Sequence, residues 1–184
     1  MPDNDRLIRQ YQKKSRKAFD ELYRNYSGLV FGICLRYTRN RAEAEDLLQD
    51  CFIKVIQKID DFGFKGSFEG WIRRIAVTTA LNKLRADKQM MVSEIDENLV
   101  LVDDSESASV ASKLNADQLV EIINSLPVGY KTVFNLYVVE GYRHKEIADM
   151  LGCSENTSKS QLLKAKKAII ERLNLLKEND EREF

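Results

Sequence analysis

Between residues 91 and 112 the chain carries six acids (Glu94, Asp96, Glu97, Asp103, Asp104 and Glu106), five serines and no lysine or arginine. Few large apolar residues there fall at helical spacing. The segment reads as a flexible linker. It divides the 184 residues into a block over residues 1–90, an acidic linker over 91–114 and a second block over 115–184. Each block is small but long enough to bury a helical core. Two blocks on one tether imply two contact surfaces used together, because linkage raises effective concentration. The formal net charge of +0 is then an average over an acidic tether and basic surfaces, and a poor guide to partners.

The composition predicts an all-α fold made of two small helical domains. There are only two prolines, Pro2 and Pro127, and apolar residues recur at intervals of three and four. The one strand-like phrase, VFNLYVV (133–139), is too short for periodicity to decide, and its flanks favour helix. No apolar run approaches the roughly 20 residues a bilayer requires, so no membrane insertion is expected. The polar N-terminus lacks the pattern of a secretory signal, which makes the cytoplasm the default address. Cys34, Cys51 and Cys153 lie far apart without a CxxC pair, which argues against a disulfide framework and a zinc site and for buried or half-buried thiols. With one histidine, His144, and no clustered carboxylates opposite a Gly-rich loop, no catalytic constellation is visible. Neither a metal, a cofactor nor an enzymatic activity is expected.

In the first block, Phe19, Leu22, Tyr23, Tyr26, Leu29, Val30, Ile33 and Cys34 form a helical stripe. Asn40 can cap the next helix, and Glu43, Glu45 and Asp46 complement its macrodipole. Its apolar face is Leu47, Leu48, Cys51, Phe52, Val55, Ile56 and Ile59. Residues 43–61 hold six acids against two lysines, which is either a solvated acidic face or a docking surface for a basic or mixed partner. The loop DDFGFKGSFEG interleaves Gly63, Gly66 and Gly70 with Phe62, Phe64 and Phe68. The helix that follows begins at the lone Trp71, and residues 65–88 contain six bases and two acids. Exposed rings beside basic residues suit single-stranded nucleic acid. The same rings would equally serve as core.

The second block reads as two short helices, a break at Pro127 between them, and then HKEIADMLG. Proline disfavours the α region for the residue before it, so Leu126 closes the first helix. Gly152 permits a left-handed turn, and Ser154 is a good N-cap for the last helix. Leu162, Ala165, Ile169, Leu173 and Leu176 face inward on that helix. Asn156, Lys159, Ser160, Leu163, Lys164 and Lys167 fall on the other side, and small Ala148 allows a close crossing. This is the pattern of a helix-turn-helix whose later helix can enter a major groove.

Three stretches, AEAEDLLQDCFIKVIQKIDDF, GSFEGWIRRIAVTTALNKLR and SLPVGYKTVFNLYVVEGYRHKEIADMLGCSENTSKSQLLKAKKAI, resemble successive blocks of bacterial RNA polymerase sigma factors. The likeness is to the small extracytoplasmic-function type of the sigma-70 family, built from regions 2 and 4, and it covers nearly all of residues 18–173. It implies that the first block is region 2 and that the second is region 4. It also implies that Asp46, Gln49, Asp50 and Phe52 contact the β′ subunit of core RNA polymerase. The minus-ten element would fall to Phe62, Phe64, Lys65, Phe68 and Trp71, with Arg73, Arg74, Asn82, Lys83 and Arg85 along the helix. The minus-thirty-five element would fall to Asn156, Thr157, Lys159, Ser160, Leu163, Lys164 and Lys167. Implied partners are core polymerase through its β′ and β subunits, promoter DNA and an anti-sigma factor. The chain departs from the family pattern at Thr78, where asparagine is frequent, and at Lys164 and Lys166, where arginine is common. The rival reading is a helix-turn-helix regulator that binds promoter DNA without core polymerase.

Overall fold

The computed structural model describes residues 3–13, 15–87 and 116–182, all of them in helices or the turns between them. The acidic linker lies outside the described residues. The chain divides into two units, Met1–Lys88 and Gln89–Phe184.

The first unit comprises α1 (Asp3–Gln12), α2 (Arg16–Tyr37), α3 (Arg41–Lys58), a 3₁₀ turn (Ile59–Asp61) and α4 (Phe68–Ala86). Side-chain caps start three of these helices. Ser15 Oγ accepts from the Ala18 amide, Asn40 Oδ1 from Glu43 at 2.8 Å, and Ser67 Oγ from Gly70 at 3.0 Å. Glu43 reaches back to accept from the Arg39 amide, which secures the entry to α3. The core lies where α2, α3 and α4 pack on one another. Val30, Ile33, Leu47, Ile72, Ala76, Val77 and Leu81 are buried there. Cys34 and Cys51 are buried free thiols in the same layer.

The second unit comprises α5 (Ala116–Asn124), α6 (Val128–Phe134), a π-helical turn (Asn135–Val139), α7 (His144–Leu151) and α8 (Glu155–Arg182). Ile122 and Leu126 pack against Ala165 and Ile169 of α8, and α6 and α7 rest on the same helix. VFNLYVV is helical, but not uniformly α. From Asn135 the helix widens, with the Glu140 amide donating to the Asn135 carbonyl at 2.9 Å. That i to i+5 bond marks a π turn, a detail that periodicity alone does not reveal. Gly152 sits at φ 67°, the left-handed cap of α7, and Ser154 Oγ accepts from the Thr157 amide at 3.0 Å to start α8.

Candidate nucleic-acid interface

Helical periodicity sets one face of α4 outward. Arg74, Thr78, Asn82 and Arg85 are all exposed, and their spacing of four, four and three places them on a single stripe. Arg85 Nη1 donates to Asn82 Oδ1 at 3.3 Å. Trp71 is half-buried one turn before Arg74. Arg73 is turned aside and ion-paired with Glu69 at 3.0 Å, and Lys83 is half-buried off the stripe. Lys65 is exposed in the loop ahead of the helix.

The aromatic loop departs from expectation. Phe62 and Phe68 are buried, Phe68 at only 4% exposure. Phe68 stacks on Trp71 at 5.3 Å and meets Tyr26 edge-on at 5.2 Å. Phe62 lies 5.3 Å from Phe68 and 5.5 Å from Trp71. These two rings are therefore the floor of the loop and are not exposed on its surface, so they cannot stack on a base as expected. A short turn between two helices has too little covering structure to leave four rings in water, and burying two of them supplies the core contacts that hold the turn. Phe64 remains half-buried and Trp71 half-buried above this floor. The tyrosine beneath, Tyr26, has its pKa raised by burial and then by the Glu69 charge.

On α3, Asp46, Gln49 and Asp50 are exposed on one face. Phe52 is not with them. It is 3% exposed and packs against Tyr23 at 4.6 Å and Phe19 at 6.4 Å, in keeping with its place on the apolar face of the helix. This burial leaves no exposed ring for the contact that the resemblance implies. Two residues missed as surface are Ile53 and Ile56, 51% and 41% exposed. Ile56 belongs by apolarity to the inward list, yet the spacing 46, 49, 53, 56 follows the acidic face, and that signal was available. The outer face of α3 thus combines two carboxylates, an amide and two isoleucines. This suits a partner offering both positive charge and an apolar surface.

In the second unit α7 and α8 pack on each other as the helix-turn-helix, with Ile147 and Ala148 of α7 buried. Asn156 and Lys167 are exposed, and Lys159, Ser160, Leu163 and Lys164 are half-exposed. Lys159 Nζ pairs with Glu155 at 2.9 Å, and this bond and charge lower the Glu155 pKa. Thr157 is another correction. Its side chain is buried and hydroxyl-bonded to Ser154 at 2.8 Å, because position 157 closes the cap of α8 and cannot also face a groove.

His144 joins the two helices. Its Nδ1 lies 2.9 Å from Ser158 Oγ, and its ring stacks on Tyr137 with centroids 4.4 Å apart. Burial and the nearby charges of Lys159 and Lys166 lower its pKa from the ordinary 6.5. The unfolded chain therefore takes up a proton before the fold does, so stability falls as pH drops below 6.5 toward the folded value. As the single histidine, its NMR titration is unambiguous. A midpoint below 6.5 is expected, and His144→Gln should flatten the fall in stability between about pH 7.5 and 5.5. A midpoint above the ordinary value would refute this environment.

Among the described residues, no group of three or more His, Cys, Asp or Glu could hold a metal ion, and no helix is long and apolar enough to cross a membrane.

Comparison with known proteins matches these two units to two family models. Sigma-70 region 2 matches residues 22–89, and Sigma-70, region 4 matches residues 116–169. The ECF RNA polymerase sigma-E factor of Haemophilus influenzae is 31% identical over 175 residues, covering 89% of this chain and 91% of that one. The RNA polymerase sigma-H factor of Pseudomonas aeruginosa is 28% identical, covering 90% and 91%. Among solved structures, the sigma factor RpoE of Bartonella quintana in complex with the anti-sigma factor NepR has a TM-score of 0.55 at 20% identity, covering 86% of this chain and 98% of that one. CnrH in complex with the cytosolic domain of CnrY has a TM-score of 0.51 at 16% identity, covering 92% and 96%. These two structural likenesses concern the fold. The paired models, in order along one all-helical chain, and relatives matched over nine-tenths of their length lead to one assignment: the chain belongs to the sigma-70 family of RNA polymerase sigma factors, in its extracytoplasmic-function group.

Proposed function

We propose that this sigma factor binds core RNA polymerase through the outer face of α3 and directs it to promoters, reading the minus-ten element with the first unit and the minus-thirty-five element with α8. The observation that carries this reading is the pairing, within one unit, of two exposed faces of opposite character. The Asp46, Gln49, Asp50, Ile53 and Ile56 face of α3 is acidic and apolar. The Arg74, Thr78, Asn82 and Arg85 face of α4 is basic and polar. Nucleic acid takes the second and repels the first. A protein partner takes the first. Residues 1–90 act as region 2, 91–114 as the tether and 115–184 as region 4. The protein acts in the cytoplasm, as a transcription initiation factor and not as an enzyme. The Bartonella quintana sigma factor of like fold is in complex with an anti-sigma factor, and we extend that class of partner to this chain.

On α8, Lys159 and Lys164 are the base-edge candidates, and Lys166 and Lys167 contact phosphate. Asn156, Ser160 and Leu163 share the outward face. Lys159 must leave Glu155 to reach DNA, a modest cost for an exposed pair. The test is a binding-site selection with holoenzyme, using wild type, Lys159→Ala and Lys164→Ala at two salt concentrations. Loss of a base contact should cost about 1–3 kcal/mol and relax preference at one position. A phosphate contact alone would weaken all sequences evenly and reduce the salt slope by about one. Unchanged preference in both variants would remove base reading from these lysines. Equal selection by the chain without polymerase would favour a free-standing regulator.

A further inference from the structure

Phe64 carries the loop's one unusual backbone. Its φ is 57°, the left-handed region that a bulky L residue keeps only where its surroundings hold it. Glycines flank it at Gly63 and Gly66, and Gly66 itself sits at φ 126°, so the turn is already supplied with flexible positions. The ring nonetheless stands between them, held on two sides. Phe62 meets it at 5.0 Å, near edge-on. On its face lies the guanidinium of Arg9, 4.2 Å from the ring centroid.

Arg9 reaches the loop from α1, an element the promoter-reading roles above do not use. The end of α1 is fastened beside the loop. Gln12 Nε2 donates to the Ile59 carbonyl at 2.9 Å, and Leu7 and Ile8 are buried. The arginine itself is exposed, so its contact with Phe64 is not a by-product of burial.

We propose that Arg9 is a positioning residue for the aromatic loop: its guanidinium, stacked on Phe64, holds the strained turn in place before melted DNA arrives. This rests on the reading of the loop as the minus-ten surface. A loop already in shape does not pay the ordering cost of a mobile one when it binds. Phe62 and Phe68 form the floor, Phe64 is the wall, and Arg9 fixes the wall from outside.

The sole tryptophan gives a readout without DNA. Trp71 packs 5.5 Å from Phe62, and a loosened loop uncovers it. The full chain is compared as wild type, Arg9→Met and Arg9→Lys, free and assembled with core polymerase. Methionine keeps the apolar stem, and lysine keeps the charge with weaker stacking. Arg9→Met is expected to raise acrylamide quenching of Trp71. It should slow opening of a selected promoter fragment roughly two- to fivefold by permanganate reactivity, with the melting temperature unchanged. Arg9→Lys should restore part of both. A purely structural role at the end of α1 would lower the melting temperature and leave Trp71 as it is. Unchanged quenching in Arg9→Met overturns the proposal. So does full rescue of opening by lysine with Trp71 unmoved, since that marks a phosphate contact. Phe64→Ala separates this from the reading beneath it. Normal opening in that variant sinks the loop's role in DNA melting, and with it any role of Arg9 in opening, even where the Trp71 change persists.

Discussion

Reversing Asp46 and Asp50 together to lysine is expected to weaken binding to core polymerase roughly 100-fold or more, with the fold intact. Both carboxylates are exposed on α3 and lie four residues apart, on the face that also carries Gln49, Ile53 and Ile56. Exposed helix positions of this kind usually tolerate substitution within about 0.5 kcal/mol of stability. A partner that complements two acids is basic, and two lysines turn attraction into like-charge repulsion costing several kcal/mol. Co-elution with core enzyme and titration by fluorescence anisotropy measure the loss, and circular dichroism checks the fold. Ile53→Asp should act on the same interface through its apolar part. If the double reversal binds core enzyme as wild type does, the outer face of α3 is a solvated surface and docking lies elsewhere.

The second large effect divides the aromatic cluster in two. Phe68 is buried against Tyr26, Phe62 and Trp71. Phe68→Ala should cost about 3–5 kcal/mol of stability, a large share of what a small domain possesses. Trp71 is only half-buried, and its removal leaves the Phe62–Phe68 contact in place. Trp71→Ala should therefore cost less stability than Phe68→Ala, about 1–2 kcal/mol for its two ring contacts, yet lose about 1–3 kcal/mol of stacking on each base it holds. Thermal melting and permanganate footprinting of unpaired thymines, done on both variants, separate the roles. Should Trp71→Ala lose stability and opening in equal measure, Trp71 is core like its neighbours.

Much of the fold was legible because helices announce their ends and faces. Asn40, Ser154 and Gly152 mark boundaries that the structure places where local chemistry requires. The inward stripe of α8 at Leu162, Ala165 and Ile169 is buried as its spacing demands. What escaped has a common physical origin. Phe62 lies in a turn with no period, so nothing local says that its ring points inward, whereas Phe68 opens α4 four residues before buried Ile72, a spacing that does point it inward. Ile56 lies at the edge of the α3 apolar arc and is exposed, whereas Phe52 is buried as its place on the apolar face implies and not as an outward contact would need. The ring of Tyr23, far away in sequence, decides that Phe52 is covered. Thr157 falls on the outward side of no helix, since capping by Ser154 draws it in. The π turn at Asn135 and the Arg9–Phe64 contact depend on tertiary packing and leave no trace in spacing.

Transcription in vitro by purified core polymerase on genomic fragments, with and without this chain, tests the central claim most directly. The account predicts specific transcripts only when both are present, with start sites mapping downstream of a shared pair of elements and lost in the Asp46→Lys, Asp50→Lys variant. Specific binding of promoter duplex by the chain alone, with no new transcripts from core enzyme, would contradict it.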